Sequence, residues 1–423
     1  MTASPAAPSD HGLRTAFPAT LLIALAALAA VAPLATDAYL PAFAQMADDL
    51  GVSASSVQLT MTTFLVGIAL GQLGIGVLSD RVGRRPLLLW GSALALAASI
   101  GAALAPSLSV LLIARFFQGL GGAAGMVLGR AVISDHSRGI TAARALSVVM
   151  AIQGIAPVAA PILGGVLVEP IGWRGILGVV AAFTGLLVVM VLLWVPESLP
   201  AERRHDGGLR ILLDGTRELA RDHVLVRLLF INALSFGLLM AYLSAAPFVL
   251  RNVLGMGTVA YTAVFGLCGA TVTVTIAVAA SLVRRFSQAR QVRVGLIAGL
   301  VVDTVFAGVC LTWLREPVTG PERMPLLVAV VALFLAHVAC LGLSMGNAPA
   351  LALDRTGRWA GTGSALLGFL QFVIGGLVSP LVGLTGEASG AAFGVVIVAV
   401  GAVANILAVF GLRERGEKQR LGQ

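Results

Sequence analysis

The sequence predicts an all-α integral membrane protein, in which twelve transmembrane helices form two pseudo-symmetric bundles of six. Composition is the first reason, because 58% of the 423 residues are hydrophobic and only 11% are charged, whereas soluble domains contain about 25% charged residues. The second reason is a series of long apolar runs, in keeping with a mean hydropathy of +0.96. The third is one polar stretch that divides these runs equally.

Each apolar run is long enough to cross the hydrocarbon core of a membrane, which takes about 20 helical residues. Six runs precede the main polar stretch, at residues 17–36, 55–78, 87–105, 108–131, 143–168 and 173–195. Six follow it, at residues 224–249, 258–282, 293–314, 325–350, 360–384 and 390–412. The first run is too long for the apolar part of a signal peptide and eleven more follow, so we expect it to be span 1.

Arginine placement predicts the orientation, since cytoplasmic loops of membrane proteins are enriched in Lys and Arg. With the amino terminus inside, only Arg174, Arg251, Arg315 and Arg323 fall in outer loops. Both termini are therefore expected in the cytoplasm, with the chain crossing the plasma membrane many times. The predicted segments are a tail at 1–16, a bundle at 17–195, a cytoplasmic linker at 196–223, a bundle at 224–412 and a tail at 413–423.

The two halves show weak sequence similarity to each other, as expected of an internal duplication. Residues 76–91 align with residues 280–295, and residues 145–165 align with residues 363–383. Two parallel halves around a central cavity are therefore the expected architecture.

Three motifs resemble those of a known family. Residues 76–85 read G-V-L-S-D-R-V-G-R-R, between predicted spans 2 and 3, and resemble the loop signature G-x-L-[AS]-D-R-x-G-R-[RK] of the major facilitator superfamily. Residues 115–119 read R-F-F-Q-G, similar to the R-x-x-Q-G element of its proton-coupled members. Residues 36–41 read T-D-A-Y-L-P, similar to the T-D-x-Y-L-P of the Bcr/CflA family of bicyclomycin and chloramphenicol exporters.

The resemblance implies a conformational latch at the inner membrane edge, formed by Gly76, Asp80, Gly83, Arg84 and Asp135. Asp80 is expected to accept hydrogen bonds from free amides at a helix start, and Arg84 to pair with a carboxylate, for which Asp135 is the expected partner. Such contacts would hold the halves together while the cavity faces outward and break when it opens inward. The alternative is a turn whose charges only satisfy the positive-inside pattern.

Asp37 is the candidate for proton coupling. It lies near the outer end of an apolar helix, where a carboxylate is costly unless it is neutralised, paired or in contact with water. A low dielectric favours the neutral form, so we expect Asp37 to hold a proton and to release it when a cationic or polar substrate arrives. The alternative is that Asp37 lies just outside the hydrocarbon and caps the outer loop.

Arg115 is the second candidate for proton coupling, because it lies early in span 4 within an apolar run and one helical turn from Gln118. A guanidinium in this place would tune the protonation of Asp37 or relay between the acid and the substrate. The alternative is that Arg115 extends toward the outer interface and has no role in transport.

Span 5 ends in A-P-I-L-G-G at residues 160–165, which resembles the end of the antiporter motif, P-x-x-G-G, with alanine where many members carry glycine before the proline. Pro157 and Pro161 are expected to bend the span, and Gly164 and Gly165 to allow close approach to a span of the other half. We expect a seal or hinge there, and the resemblance implies exchange rather than uniport.

Six further side chains are candidates for the lining of a substrate cavity: Tyr39, Gln118, Asn232, Ser235, His337 and Asn347. The intramembrane polar ones among them, together with Gln371, are equally consistent with hydrogen bonds between helices. Asp303 in span 9 is expected to form a structural pair with a partner that the sequence does not identify, and a second proton site is the alternative.

The sequence contains no pattern typical of an enzyme or of a cofactor or metal site, since it lacks a phosphate loop, an H-E-x-x-H pair and a G-x-S-x-G elbow. The net charge of +8 resides in short basic stretches between apolar runs, which indicates a membrane protein and not a nucleic-acid-binding one.

Together these features predict a monomer in the lipid bilayer that exports a small, hydrophobic, drug-like compound in exchange for protons. Two alternatives remain open: proton-coupled uptake or efflux of a metabolite, and a membrane sensor without transport activity.

Overall fold

The computed structural model describes residues 18–137, 139–204, 208–386 and 389–411. The predicted tails at 1–16 and 413–423 lie outside the described residues. Within the described residues, 11 helical segments are long and apolar enough to cross a membrane. The chain is thus an all-helical membrane protein, as predicted.

The helices follow the predicted order. The first half contains α1 (Ala19–Asp37), α2 (Phe43–Leu50), α3 (Ala54–Val82), α4 (Arg84–Ala103), α5 (Leu108–His136) and α6 (Gly139–Trp194). The linker contains α7 (Gly208–Leu219), and the second half contains α8 (His223–Pro247), α9 (Thr258–Leu282), α10 (Gln288–Thr312), α11 (Arg323–Leu353), α12 (Ala360–Val378) and α13 (Ala391–Gly411). The short α2 and α7 are the helices that the apolar runs did not predict.

A single segment, α6, accounts for predicted spans 5 and 6. Its 56 residues would extend about 84 Å as one straight helix, far beyond the hydrocarbon core of about 30 Å. Gly172 interrupts it with φ 64° and ψ −179°, a conformation that favours glycine. Ala145 and Val149 before the bend share a core cluster with Met190 and Val191 after it, so the two arms, 139–171 and 173–194, fold back on each other.

The signature motif lies mostly on helices, which corrects the prediction of a loop. Gly76 and Asp80 are in the last turns of α3, Arg84 begins α4, and Gly83 alone joins the two helices with φ 110°. The 29 residues of α3 extend about 44 Å, so its final polar turns can project beyond the hydrocarbon and remain helical.

The linker is attached to both halves. Arg204 Nη2 lies 3.5 Å from Glu197 Oε2 within the linker, and Glu197 Oε1 accepts a hydrogen bond of 2.9 Å from the backbone N–H of Arg84 in the first half. On the second half, Asp222 lies 2.7 Å from Arg355. We call the end of the bundle that carries the linker and the α3–α4 turn the linker end, and the end that carries Asp37 and Gly172 the far end.

Helix α7 adds a further contact to the second half. Glu218 at its end lies 2.5 Å from Arg358, and the hydrogen bond from Arg358 holds the pKa of the Glu218 carboxyl below its usual range. The contact is therefore fully formed at neutral pH and is lost only as the pH falls through that lowered pKa.

Candidate functional site

The two halves enclose a cavity of about 540 Å³ at the linker end. Helices α3 and α5 line it from the first half, α12 and the turn before it line it from the second, and α7 lines it from the linker. The volume falls within the range of about 300–1,000 Å³ that is usual for sites that bind small molecules.

At the far end the halves are in direct contact. Gln58 Nε2 on α3 donates to the carbonyl oxygen of Ser244 on α8 at 3.3 Å, and Arg251 Nη1 donates to the carbonyl oxygen of Pro41 at 2.8 Å. The halves are thus sealed at the far end and separated by the cavity at the linker end.

Asp37, the last residue of α1, lies beneath this seal. Its side chain is 3% exposed, and its Oδ1 has no hydrogen-bond partner among the described residues. Arg115 of the first half and Tyr261 of the second half are within electrostatic reach of the carboxylate. The phenolic oxygen of Tyr261 is likewise buried without a partner in the described part of the chain. An ionisable group between the halves therefore has spare hydrogen-bonding capacity.

Arg115 is fully buried, at 0% exposure, so it does not extend to the outer interface. Its Nη1 donates to Gln118 Oε1 at 2.5 Å, and its Nη2 donates to the carbonyl oxygen of Ala35 at 2.9 Å and to the Tyr39 hydroxyl at 3.3 Å. The guanidinium also packs on the ring of Phe64, 4.3 Å from its centroid. These contacts tie α5 to the end of α1, two residues before Asp37.

The antiporter-like residues lie beside Asp37 as well. A Cβ atom at Gly164 would overlap the carbonyl oxygen of Ala38, and one at Gly165 would overlap the Thr262 hydroxyl on α9 of the second half. Pro157 and Pro161 are inside the same arm of α6. The absence of side chains at the two glycines therefore permits the close packing of the far-end seal.

The predicted latch residues meet at the linker end. Arg84 Nη1 lies 2.7 Å from Asp80 Oδ1, and its Nε lies 3.4 Å from Asp135 Oδ2. Ser198 Oγ of the linker donates to the same Asp135 oxygen at 2.8 Å. These contacts join the first half to the linker, and in this conformation they include no residue of the second half. Glu197 and Ser198 were missed, although an acid directly after span 6 is a signal for them.

In this conformation, none of the six residues proposed for a substrate cavity lines the cavity at the linker end. Tyr39 shares a hydrogen bond of 2.9 Å with Thr60, and Gln118 Nε2 donates to Ser99 at 2.8 Å. The cavity lies at the linker end, whereas these two side chains belong to the network around Arg115.

The other four predicted cavity residues are buried within the second half. Asn232 Nδ2 donates to Gln371 at 3.2 Å, and Asn347 Nδ2 donates to Gln291 at 3.3 Å. These are the hydrogen bonds between helices that the sequence left open, and Ser235 is fully buried near Asn232 on the same helix.

His337 is the partner of Asp303 that the sequence did not identify. Its Nδ1 lies 2.5 Å from Asp303 Oδ1, and each side chain is 1% exposed. The two residues are 34 positions apart on α10 and α11, and only the packing of these helices brings them together.

Comparison with known proteins identifies the fold and the relatives. A family model described as Major Facilitator Superfamily matches residues 25–380. An uncharacterized MFS-type transporter of Bacillus subtilis, YdgK, is 33% identical over 409 residues, which cover 95% of this chain and 96% of YdgK. A bicyclomycin resistance protein homolog of Haemophilus influenzae is 29% identical over 85% of this chain and 88% of its own. The multidrug resistance protein MdtL of an Escherichia coli strain is 28% identical over 83% of this chain and 85% of its own.

Solved structures share the fold at low sequence identity. A bacterial homolog of the human lysosomal transporter Spinster, in an inward-facing and occupied conformation, matches with a TM-score of 0.71 and 16% identity over 93% of this chain and 96% of its own. The human organic anion transporter MFSD10 matches with a TM-score of 0.60 and 18% identity over 93% of this chain and 100% of its own.

Proposed function

The chain belongs to the Major Facilitator Superfamily, and from that premise we propose that it exports a small, hydrophobic, drug-like compound in exchange for protons by alternating access. The relatives named for bicyclomycin and multidrug resistance support the substrate class. The T-D-A-Y-L-P segment supports a place in the Bcr/CflA group. Because both halves of the cavity come from one chain, a monomer is sufficient for this cycle.

The buried carboxyl of Asp37, whose Oδ1 has no hydrogen-bond partner among the described residues, carries the proposal. Burial beneath the far-end seal makes an ionised carboxylate costly, whereas a protonated one is neutral. Asp37 therefore takes up a proton when the far end opens to water and keeps it while that end closes. Release toward the linker end, followed by substrate binding in the cavity, then completes an exchange cycle.

Arg115 positions this group. Its bonds to the Ala35 carbonyl and the Tyr39 hydroxyl hold the end of α1, and its positive charge favours the ionised form of Asp37. Gly164 and Gly165 allow the first arm of α6 to pack against the backbone next to Asp37 and against α9. A change of charge at Asp37 thus acts where the halves touch.

We propose that the linker end faces the cytoplasm of a cell whose plasma membrane the chain crosses, with both termini on the same side. The distribution of arginine supports this orientation. A reporter fused after Arg210 in α7 should be active only if it works in the cytoplasm, and a periplasmic signal there would reverse the orientation.

The latch is proposed to stabilise the state in which the cavity faces outward, because closure of the linker end would bring Asp80, Arg84 and Asp135 against the second half. Arg84→Ala removes the group that bridges Asp80 and Asp135, so we expect slower transport with membrane insertion unchanged. The charge-conserving Arg84→Lys should retain part of the rate, because a lysine keeps one contact but not both. Arg290→Ala removes an exposed arginine outside the cavity at the same end and is the matched control. A normal transport rate in Arg84→Ala would contradict the latch. The charges of the α3–α4 turn would then serve only to orient the chain in the membrane.

Flux in proteoliposomes tests the proposed function. A drug-sensitive host that expresses the chain, grown on a broad panel of compounds, first supplies a transported compound. Vesicles that contain the purified chain should then move that compound against an imposed pH gradient, and the direction should reverse when the gradient is reversed. Movement in the same direction as the protons would indicate symport and contradict the proposal, and the absence of flux for every compound would indicate a protein without transport activity.

A further inference from the structure

Arg130 differs from the other charged side chains around the cavity. Four charged residues line the cavity: Asp80, Arg84, Arg130 and Arg358. Asp80 and Arg84 pair with each other at 2.7 Å, and Arg358 pairs with Glu218 at 2.5 Å. None of the ion pairs within the described ranges includes Arg130, and its buried Nε has no hydrogen-bond partner there. Among the described residues, the cavity therefore presents one positive charge without an acidic partner.

The position of Arg130 on α5 explains why it faces the cavity. Val127 lies three residues before Arg130 and Ser134 lies four residues after it. Both line the same cavity, so the three side chains share one face of α5. Arg130 is partly buried, with its Nε buried completely. A guanidinium without a partner in such a site is unfavourable until an anion pairs with it.

The rest of the lining suits an amphiphile. Leu73, Val77 and Val127 of the first half, and Ile211 and Leu212 of α7, supply apolar surface. Hydroxyl and amide groups also line the cavity, from Ser134, Gln72 and Thr362. A ligand with an apolar body and one anionic group can thus bury the body against these side chains while its oxygens meet Arg130.

We infer that Arg130 is the subsite for an anionic oxygen group, a carboxylate or a sulfonate, on a small amphiphilic ligand of this cavity. The guanidinium presents its donors in a planar fork that matches the two oxygens of such a group. The inference rests on the proposed function, because the cavity is where an exporter takes up its substrate. It restricts the substrate class to amphiphiles with one negative charge.

An anionic substrate changes the net charge that each transport cycle moves across the membrane. Export of a monoanion in exchange for one proton moves two positive charges inward in each cycle, whereas export of a neutral compound moves one. The transport of an anionic substrate is therefore the more strongly driven by a membrane potential that is negative inside.

A pair of fluorescent probes tests the subsite. 1-Anilinonaphthalene-8-sulfonate and N-phenyl-1-naphthylamine share their ring system, and only the first carries a sulfonate. Each is titrated against the full chain in nanodiscs of phosphatidylcholine, with empty nanodiscs subtracted and no pH gradient. Energy transfer from the tryptophans, of which Trp359 lines the cavity, reports binding, and Trp359→Phe identifies the transfer that arises there.

Arg130→Gln keeps a polar side chain and removes the charge, so we expect the sulfonate probe to bind about 10- to 100-fold more weakly. Binding of the uncharged probe should stay unchanged, and Arg130→Lys should recover part of the loss. Arg290→Gln removes an exposed arginine from α10 outside the cavity and should bind both probes like the wild type.

Two results would overturn the inference. One is equal affinity of Arg130→Gln and the wild type for the sulfonate probe. The other is equal weakening of both probes, which would mean that Arg130 acts through the shape of the cavity. Because the titration needs no proton exchange, Asp37→Asn should still distinguish the two probes, so failure of the subsite and failure of proton coupling are separate outcomes.

Discussion

Asp37→Asn is expected to abolish transport driven by a pH gradient while substrate exchange without a gradient continues. Asparagine has nearly the shape of the protonated carboxyl and cannot ionise, so the far-end seal should form as in the wild type. The variant then has no proton to release toward the linker end, and the flux should fall to the level of empty vesicles. The two rates are measured in the same proteoliposomes, with and without an imposed gradient.

A conservative variant and a control variant accompany Asp37→Asn. Asp37→Glu keeps a titratable group in the same place and should retain part of the driven flux. Asp49→Asn removes an exposed carboxylate of α2 that pairs with Arg174 at the same end, and it should transport like the wild type. Driven flux at the wild-type rate in Asp37→Asn would show that another acid couples the proton, and the buried Asp303–His337 pair would be the next to test.

Arg115→Gln is expected to have the second large effect, on both stability and transport. The change withdraws donors from the buried carbonyl oxygen of Ala35 and from the Tyr39 hydroxyl, which keeps its bond to Thr60. A buried acceptor left unpaired, such as the Ala35 oxygen, costs about 1–3 kcal/mol. The end of α1 should then move relative to α5. We expect a lower melting temperature in detergent and a pH-driven flux reduced by about tenfold or more, since about 1.4 kcal/mol corresponds to a factor of ten.

Arg115→Lys separates charge from geometry. Lysine keeps the positive charge but offers a compact ammonium group in place of a planar fork, so it should recover some flux without full stability. Arg174→Gln is the matched control, because Arg174 is 43% exposed and forms a surface ion pair with Asp49. A wild-type melting temperature and flux in Arg115→Gln would contradict a positioning role for Arg115.

The spans were predictable from sequence because each one requires a long apolar run, and lipid permits few other structures. The break between spans 5 and 6 was also predictable, since residues 169–174, E-P-I-G-W-R, interrupt the apolar sequence. The helical state of the motif at residues 76–82 was not, because polar residues at a membrane surface can continue a helix or leave it. The amphipathic α7 was missed for the opposite reason, as a short helix with one apolar face leaves no long apolar run.

The sequence likewise indicated some residues of the candidate site and not others. Asp37 and Arg115 could be chosen as candidates from the sequence, because a charged residue in an apolar helix is costly, and both are buried. The Asp303–His337 pair could not, since it depends on how α10 packs on α11. The cavity lining could not be predicted either, because it depends on the relative position of two halves that alternate between conformations. In the conformation described here, Arg130 faces the cavity and Asn232 does not.

Proton release on substrate binding tests whether Asp37 exchanges its proton for substrate. The purified chain is placed in weakly buffered detergent solution with a pH-sensitive dye, and a compound that the resistance panel identifies is added. If substrate and proton exclude each other, binding must displace the proton, because the coupling between two ligands is reciprocal. We expect the wild type to release a proton and Asp37→Asn to release none, even though both bind the compound. Equal release by the two proteins, or binding by the wild type without any release, would contradict it.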